Sequence, residues 1–560
     1  MRNFIIVGML AVLSVTIGTA QTPAIRTDAT GVVSNATYAA RGLPNSGIAQ
    51  GSIFAIFGTN LGPAALTQQP SYPLNTTLGG TSVKVTVGGV SKDAIPAYVL
   101  ATQIGAILPS DTPVGEGTVT VTFNGQTSAS HAITVVPNNF GTFTLNQQGS
   151  GPAAVMDAAT FQAFSLTSPG KPGQIITIWG TGLGAISGDD KQTPPVGSLP
   201  GVPVEVFIGG KPAKIVYSGR APCCSGIDQV NVIVPDGLSG CYNSILVKIN
   251  NSVGNVSTMP VSTGGACSDT FGISSGDIST LLGKGTFSIG SVTLGRATSP
   301  SSNPLVPGTI KTEIAGGGFT KYTPQQFTAS QGAFQQVSIG SCSIFSFLGT
   351  ASADTDPVQP VVLNAGPALS VSGPNGTKPI PRDANSGEYS ATVGGGATNP
   401  LPLFIPDAGG TFTFTGPGGP DVDAFSTSLA VPPPLTWSNA DQITDIQRSQ
   451  GVTINWTGGD PASYVIITGT SVAVDLTNSS LSAIVEFTCT APVGPKTFTV
   501  PAAVLLAMPP STIISAGGFS IGTGSLIVFN FTQPKTFTVP KVDIAFATAY
   551  FATSKTVNYK

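Results

Sequence analysis

The chain has 560 residues, 41% of them hydrophobic, 9% charged, and a formal net charge of −3. That length exceeds one ordinary core and predicts several domains. The scatter of the few charges excludes the basic patch or stripe that binds nucleic acid. A typical soluble domain is about 25% charged, and 70 Gly and 46 Pro punctuate this one. Dense Val/Ile/Phe alternation between Gly/Pro turns predicts an all-β chain of stacked sandwiches rather than a disordered one.

Met1 and Arg2 open a positive segment, Phe4 to Ile17 is apolar, and Gly18-Thr-Ala20 supplies small residues. This pattern predicts a secretory signal peptide over residues 1–20, cleaved after Ala20. No later stretch reaches the 18 or so apolar residues of a membrane span. The mature chain is therefore expected outside the cell or at its surface, soluble or peripherally attached. Residues 21–46 read as an exposed lead-in, with Val32–Tyr38 as a first strand or edge segment.

A β-sandwich is predicted over 47–137. It contains Gly51-Ser-Ile-Phe-Ala-Ile-Phe-Gly-Thr-Asn-Leu-Gly62, the alternating Val83-Lys-Val-Thr-Val-Gly-Gly89, Gln103-Ile-Gly-Ala-Ile-Leu-Pro109, and two strands joined by Asn124-Gly125. Asn-Gly between alternating strands is a hairpin signal. Residues 138–170 read as a connector. A second sandwich over 171–267 repeats the motifs in order: Gly173-Gln-Ile-Ile-Thr-Ile-Trp-Gly-Thr-Gly-Leu-Gly184, Val204-Glu-Val-Phe-Ile-Gly-Gly210 and Gln229-Val-Asn-Val-Ile-Val-Pro235. Shared motifs in a shared order indicate duplication. The second copy adds Ser218-Gly-Arg-Ala-Pro-Cys-Cys224.

These motifs resemble the TIG/IPT family of immunoglobulin-like domains. They are closest to the TIG-like C-terminal domain of secreted acidobacterial proteins, with Cys223, Cys224, Cys241 and Cys267 matched in the second module only. The resemblance implies a β-sandwich of about seven strands used as a binding or spacer module, and no enzymatic activity.

Beyond residue 268 the resemblance ends, and two further units are expected: a β-rich domain over 274–430 and a C-terminal β-sandwich over 435–560, hinged at Val431-Pro-Pro-Pro434. The heptad Pro495-Lys-Thr-Phe-Thr-Val-Pro501 recurs as Pro534–Pro540, which fits two strands of one sheet. Ala502–Ala507 reads as one helical turn.

The six cysteines of an exported chain predict disulfides. A bridge between neighbours is strained, so Cys223 and Cys224 are each expected to pair with Cys241 or Cys267, in one of two connectivities. Cys342 and Cys489 either form a third bridge joining the last two domains or remain buried thiols. With one His and no Cys-x-x-Cys, zinc is not expected. His131 is placed at a strand start without a catalytic role. Asp189-Asp190 and Asp421-Val-Asp423 are the visible carboxylate pairs. Both lie in Gly/Pro-rich loops where Asp commonly forms turns, with Asp421 and Asp423 as calcium candidates. Trp179 occupies the repeat position of Phe57 and is assigned to core packing; Trp437 and Trp456 are the candidates for an exposed ligand contact. No catalytic residue and no cofactor is identified.

The expected role is a non-catalytic extracellular or cell-surface binding or structural protein, its ligand a carbohydrate or another surface protein. The alternatives are a secreted polysaccharide-active enzyme with its site in 274–430, which needs two carboxyls facing across a cleft, and a self-associating surface-layer or spacer protein.

Overall fold

The computed structural model describes residues 21–560 except 196, 198, 200, 271, 302–307, 330–336, 349–358, 398–399, 475–481 and 517–518. The expected signal peptide lies outside the described residues. The chain is all-β with three short α-helices among the described residues. No described helix is long and apolar enough to cross a membrane.

Module one is a sandwich in which one strand serves both sheets. Val90–Val99 pairs through its first half with Thr81–Val87 and through its second half with Gln103–Ile107, shifting register between Pro96 and Tyr98. Proline cannot donate to a ladder, so it belongs at such an irregularity. Thr81–Val87 alternates buried and open residues, as period-2 patterning requires. Its Val83, Val85 and Val87 meet Phe54, Ile56 and Ile104 of the opposite sheet in one core. Asn124 and Gly125 turn a two-residue hairpin with φ of 48° and 81°, the left-handed pair that a type I′ turn demands.

Module two repeats this register. Phe57 lies opposite Gln103 and Trp179 opposite Gln229, and the register shift at Pro96/Tyr98 recurs at Ile215/Tyr217. The repeat also begins earlier than the sequence motifs suggest. Val32-Val-Ser-Asn-Ala-Thr-Tyr38 and Val155-Met-Asp-Ala-Ala-Thr-Phe161 each add a strand beside the Gly-Thr-x-Leu-Gly strand. Each ends on an aromatic residue at positive φ, Tyr38 at 51° and Phe161 at 57°. The lead-in is therefore not an exposed segment: Val32, Val33 and Ser34 are buried in module one.

The strand Ile53–Thr59 defines a base, where it starts, and a top, where it ends. The top of module two is seated on the base of module one. There Ile53 N–H donates to Thr181 Oγ1 at 2.9 Å, and buried Asp190 accepts from Ser110 N and Oγ at 2.7 and 2.9 Å. Tyr72 Oη accepts from Ser225 N at 2.7 Å. Behind this contact Arg220 and Asp228 form a fully buried ion pair at 2.8 Å. Arg220 Nη2 donates to Gly184 O, and Asp228 accepts from the N–H groups of Gly182 and Leu183. Gly51 is required here: a Cβ would stand 2.6 Å from Arg220 Nη2, and its φ is +69°.

The disulfides correct one expectation. Cys241 pairs with Cys267, and Cys223 pairs with Cys224 rather than with either of them. Cys223 and Cys224 lie in the loop that precedes Asp228–Ile233, at the top of module two. Cys241 follows that strand, at the base beside Tyr242 and Leu166. The two pairs occupy opposite ends of one sandwich.

Residues beyond 268 build one 11-stranded sheet that passes through both expected domains. Its weld is Ile544–Tyr559, which runs parallel to Phe287–Pro300 and antiparallel to Gly524–Phe531. Ala547 and Phe551 of this strand enter one core, and Val557 and Tyr559 the next. A four-stranded sheet including Ala368–Gly373 and Gly410–Gly416 covers the first half of the large sheet. A three-stranded sheet, Thr436–Trp437, Val452–Thr457 and Thr497–Val500, covers the second together with the helix Ala502–Leu506. The units 274–430 and 435–560 thus differ in their covering sheets and share the sheet beneath. The twin heptads are not strands of one sheet: Thr497–Val500 pairs with Val452–Asn455, whereas Lys535–Phe537 pairs with Ile544–Tyr559. Cys342 and Cys489 sit directly opposite on paired strands and are bridged across 147 residues of sequence.

Candidate functional site

One recess lies where several parts of the chain meet. The Ser252–Val261 strand of module two forms its floor, the lead-in and connector two walls, and the edge strand Cys342–Leu348 the third. The cleft measures about 350 Å³, within the usual range for small-molecule sites. Asn255 fixes the floor. Its Nδ2 donates to the carbonyls of Thr142 and Gly149, each at 2.8 Å, and its Oδ1 accepts from Thr142 N at 2.8 Å. Asn45 Nδ2 reaches Gly254 O at 3.3 Å, and Asn146 Oδ1 accepts from Gln148 N at 3.1 Å. Phe345 and Ile344 supply an apolar flank, and Gln148, Ser150 and Ser346 supply open polar groups.

None of the described residues lining this cleft is acidic, basic or a histidine. It can exchange hydrogen bonds with a neutral, hydroxyl-rich ligand and cover one apolar face. It holds no side chain suited to move a proton near neutral pH.

The carboxylates singled out from sequence lie elsewhere and are engaged. Asp189 accepts from Lys191 N at 3.0 Å, and Asp190 locks the module joint. Asp421 accepts from Asn364 N at 2.9 Å, while Asp423 pairs with Lys541 at 2.6 Å. The two calcium candidates are thus taken up separately, and no group of three potential metal ligands converges among the described residues. Among the described residues of region 274–430 the buried acid is Glu313. Arg296 donates to it at 2.8 Å, and the N–H groups of Phe404 and Ile405 bond it too. Arg296 also pairs with Asp407, so this cluster ties the 404–407 loop to the large sheet. His131 is half-buried. Desolvation and then Arg41 lower its pKa, with Asp28 pulling the other way.

The tryptophan assignments are reversed. Trp437 and Trp456 face one another across paired strands and are 6% and 1% exposed. Their indole N–H groups donate to Asn439 Oδ1 and Val493 O. They are core, not ligand contacts. Trp179 is the one that leaves the core: Ile176 and Ile178 take the inner face of its strand, so alternation turns Trp179 outward, partly open. Its indole N–H has no hydrogen-bond partner.

Sequence reasoning missed the cleft because no local motif encodes it. Asn255 bonds Ala36 and Thr142, which lie 219 and 113 residues away. The repeat of Val32–Tyr38 in Val155–Phe161 was the available signal, since it marks the supposed spacers as structural walls.

No family model and no curated protein matches the chain. Among solved structures it is similar to SGBP-B of the Bacteroides ovatus mixed-linkage glucan utilization locus, in complex with a mixed-linkage heptasaccharide. The identity is 10%, over 82% of this chain and 92% of that chain, with a TM-score of 0.14. It is also similar to domains 5–6 of the S-layer protein SbsC (13% identity, 43% of this chain and 98% of that one, TM-score 0.16). Immunoglobulin domains 1–4 of Sidekick-1 match at 9% identity over 91% of this chain and 100% of that one, with a TM-score of 0.11. TM-scores this low carry no functional argument.

Proposed function

We propose that this chain is a non-catalytic extracellular binding protein, exported by its N-terminal leader. In this reading the lead-in, the connector, the second TIG-like sandwich and the double sandwich frame one cleft for a neutral, hydroxyl-rich ligand of the carbohydrate class. The observation that carries it is the cleft's lining: amides, hydroxyls and backbone on one side, Phe345 and Ile344 on the other, and no charge among the described lining residues. Neutral hydroxyls need both donors and acceptors, which the open Gln148 amide and the Ser150 and Ser346 hydroxyls provide together. Locking Asn255 beforehand reduces the ordering cost of binding. The engaged states of Asp190, Asp421, Asp423 and Glu313 fit a scaffold better than a hydrolase.

The test is a glycan array probed with residues 21–560, followed by product analysis on every sugar retained. Retention of neutral glycans without cleavage is the expected result. Cleavage would overturn the non-catalytic reading, and retention of none would overturn the ligand class.

A further inference from the structure

Parts of both surfaces of the joint between the two modules are repeated elsewhere in the chain, uncovered. Ile53 and Ile107 at the base of module one are 7% and 1% exposed. Module two packs Ile227 against them, and a Cβ on its Gly226 would stand only 2.6 Å from Ile53. Their counterparts at the base of module two are Ile175 and Ile233, paired in the same register. Ile175 is 43% exposed and Ile233 half-buried.

The complementary surface repeats in part: counted back from the equivalent Gln103 and Gln229, Ala101 stands where module two has Ile227. Thr181, which receives the Ile53 N–H, sits in Gly180-Thr-Gly-Leu-Gly184; Thr59 sits in Gly58-Thr-Asn-Leu-Gly62 at the top of module one. Thr59, Ala64 and Ala65 are exposed there, and Leu66 is 58% exposed. Each chain therefore carries an uncovered Ile175–Ile233 patch, beside the part of that base on which the unit beyond residue 268 is seated, and an uncovered Thr59 top.

We propose that a second copy of this chain seats the top of its module one on the base of module two, with Thr59 of one copy at Ile175 of the other. The contact is head to tail and engages a different surface on each copy, so it leaves an open end for the next copy and generates linear oligomers. Module one lacks the Cys223–Cys224 insertion that meets Tyr72 inside the chain. The intermolecular contact is accordingly smaller than the internal joint, with association expected at roughly 10–100 μM. It shares no residue with the cleft and stands independently of the cleft's ligand.

Analytical ultracentrifugation of residues 21–560 across that concentration range tests it, with Ile175→Lys and Thr59→Lys as variants. Both positions are exposed, and circular dichroism verifies that each variant folds. Wild type should form a concentration-dependent ladder, and each variant alone should remain monomeric. An equimolar mixture should form dimers and nothing longer, because each variant keeps one intact surface. A monomeric wild type, variants that assemble like wild type, or a mixture without dimers would each overturn the proposal.

Discussion

Asp228 is a carboxylate held where burial and its partners disagree. Burial pushes it up to about 6, while Arg220 and the N–H groups of Leu183 and Gly182 pull it down. An unfolded aspartate titrates near about 4, so between about pH 4 and 6 the folded state binds the extra proton. Stability linked to Asp228 therefore falls as pH rises through that window. Asp228→Asn should flatten this slope in denaturant unfolding followed from pH 4 to 7. An unchanged slope would place the titration elsewhere. Asp157 acts in the opposite sense: Gln174 and Thr160 hold it at about 2, so its contribution is present above about pH 4 and is lost as pH falls through about 2. Residue identity alone could not sort such cases. Trp179 and Trp456 both lie in apolar alternating stretches, and which face is inner depends on the sheet packed opposite.

At the scale of elements, the joint and the bridges carry the testable consequences. Asp190→Ala would strand the Ser110 N–H, a loss of about 1–3 kcal/mol. Hydrogen exchange should then accelerate in peptides containing Ser110 and Ile186, while the Val83–Val87 core strand keeps its protection. Equal protection at the joint would show that Asp190 does not hold it. Replacing both Cys342 and Cys489 by Ser opens a loop of 147 residues and should lower stability by about 3–5 kcal/mol, read as a shift of the denaturation midpoint. The Asn124–Gly125 hairpin and the helix at Ala502–Leu506 were legible in sequence because each is set by local chemistry. The Cys223–Cys224 pairing and the separate sheets of the twin heptads were not. Spacing does not say which end of a sandwich a loop occupies, and Pro-Lys-Thr-Phe-Thr-Val-Pro suits any strand edge.

For the whole molecule, duplication made the sandwich architecture readable, since two copies report the same strands in the same order. The long shared sheet was hidden because its weld, Ile544–Tyr559, pairs in parallel with a strand some 255 residues earlier, as the Thr293–Thr548 contact shows. Long-range parallel pairing leaves no local turn signal. The cleft is a product of that assembly: its walls come from the lead-in, the connector, module two and the edge strand that Cys342 fastens. Its uncharged lining has a physical signature, because affinity built from neutral hydrogen bonds and apolar contact is insensitive to ionic strength.

The most direct measurement is a calorimetric titration of the best array-selected neutral oligosaccharide into wild type and Ser346→Trp, each at low and high salt. Ser346 is exposed at the cleft, so the indole fills the recess without entering a core. Binding by wild type that is equal at both salts and lost in Ser346→Trp, with an unchanged melting temperature, is the predicted result. Binding that survives Ser346→Trp, or that collapses with salt, would contradict a neutral ligand in this cleft.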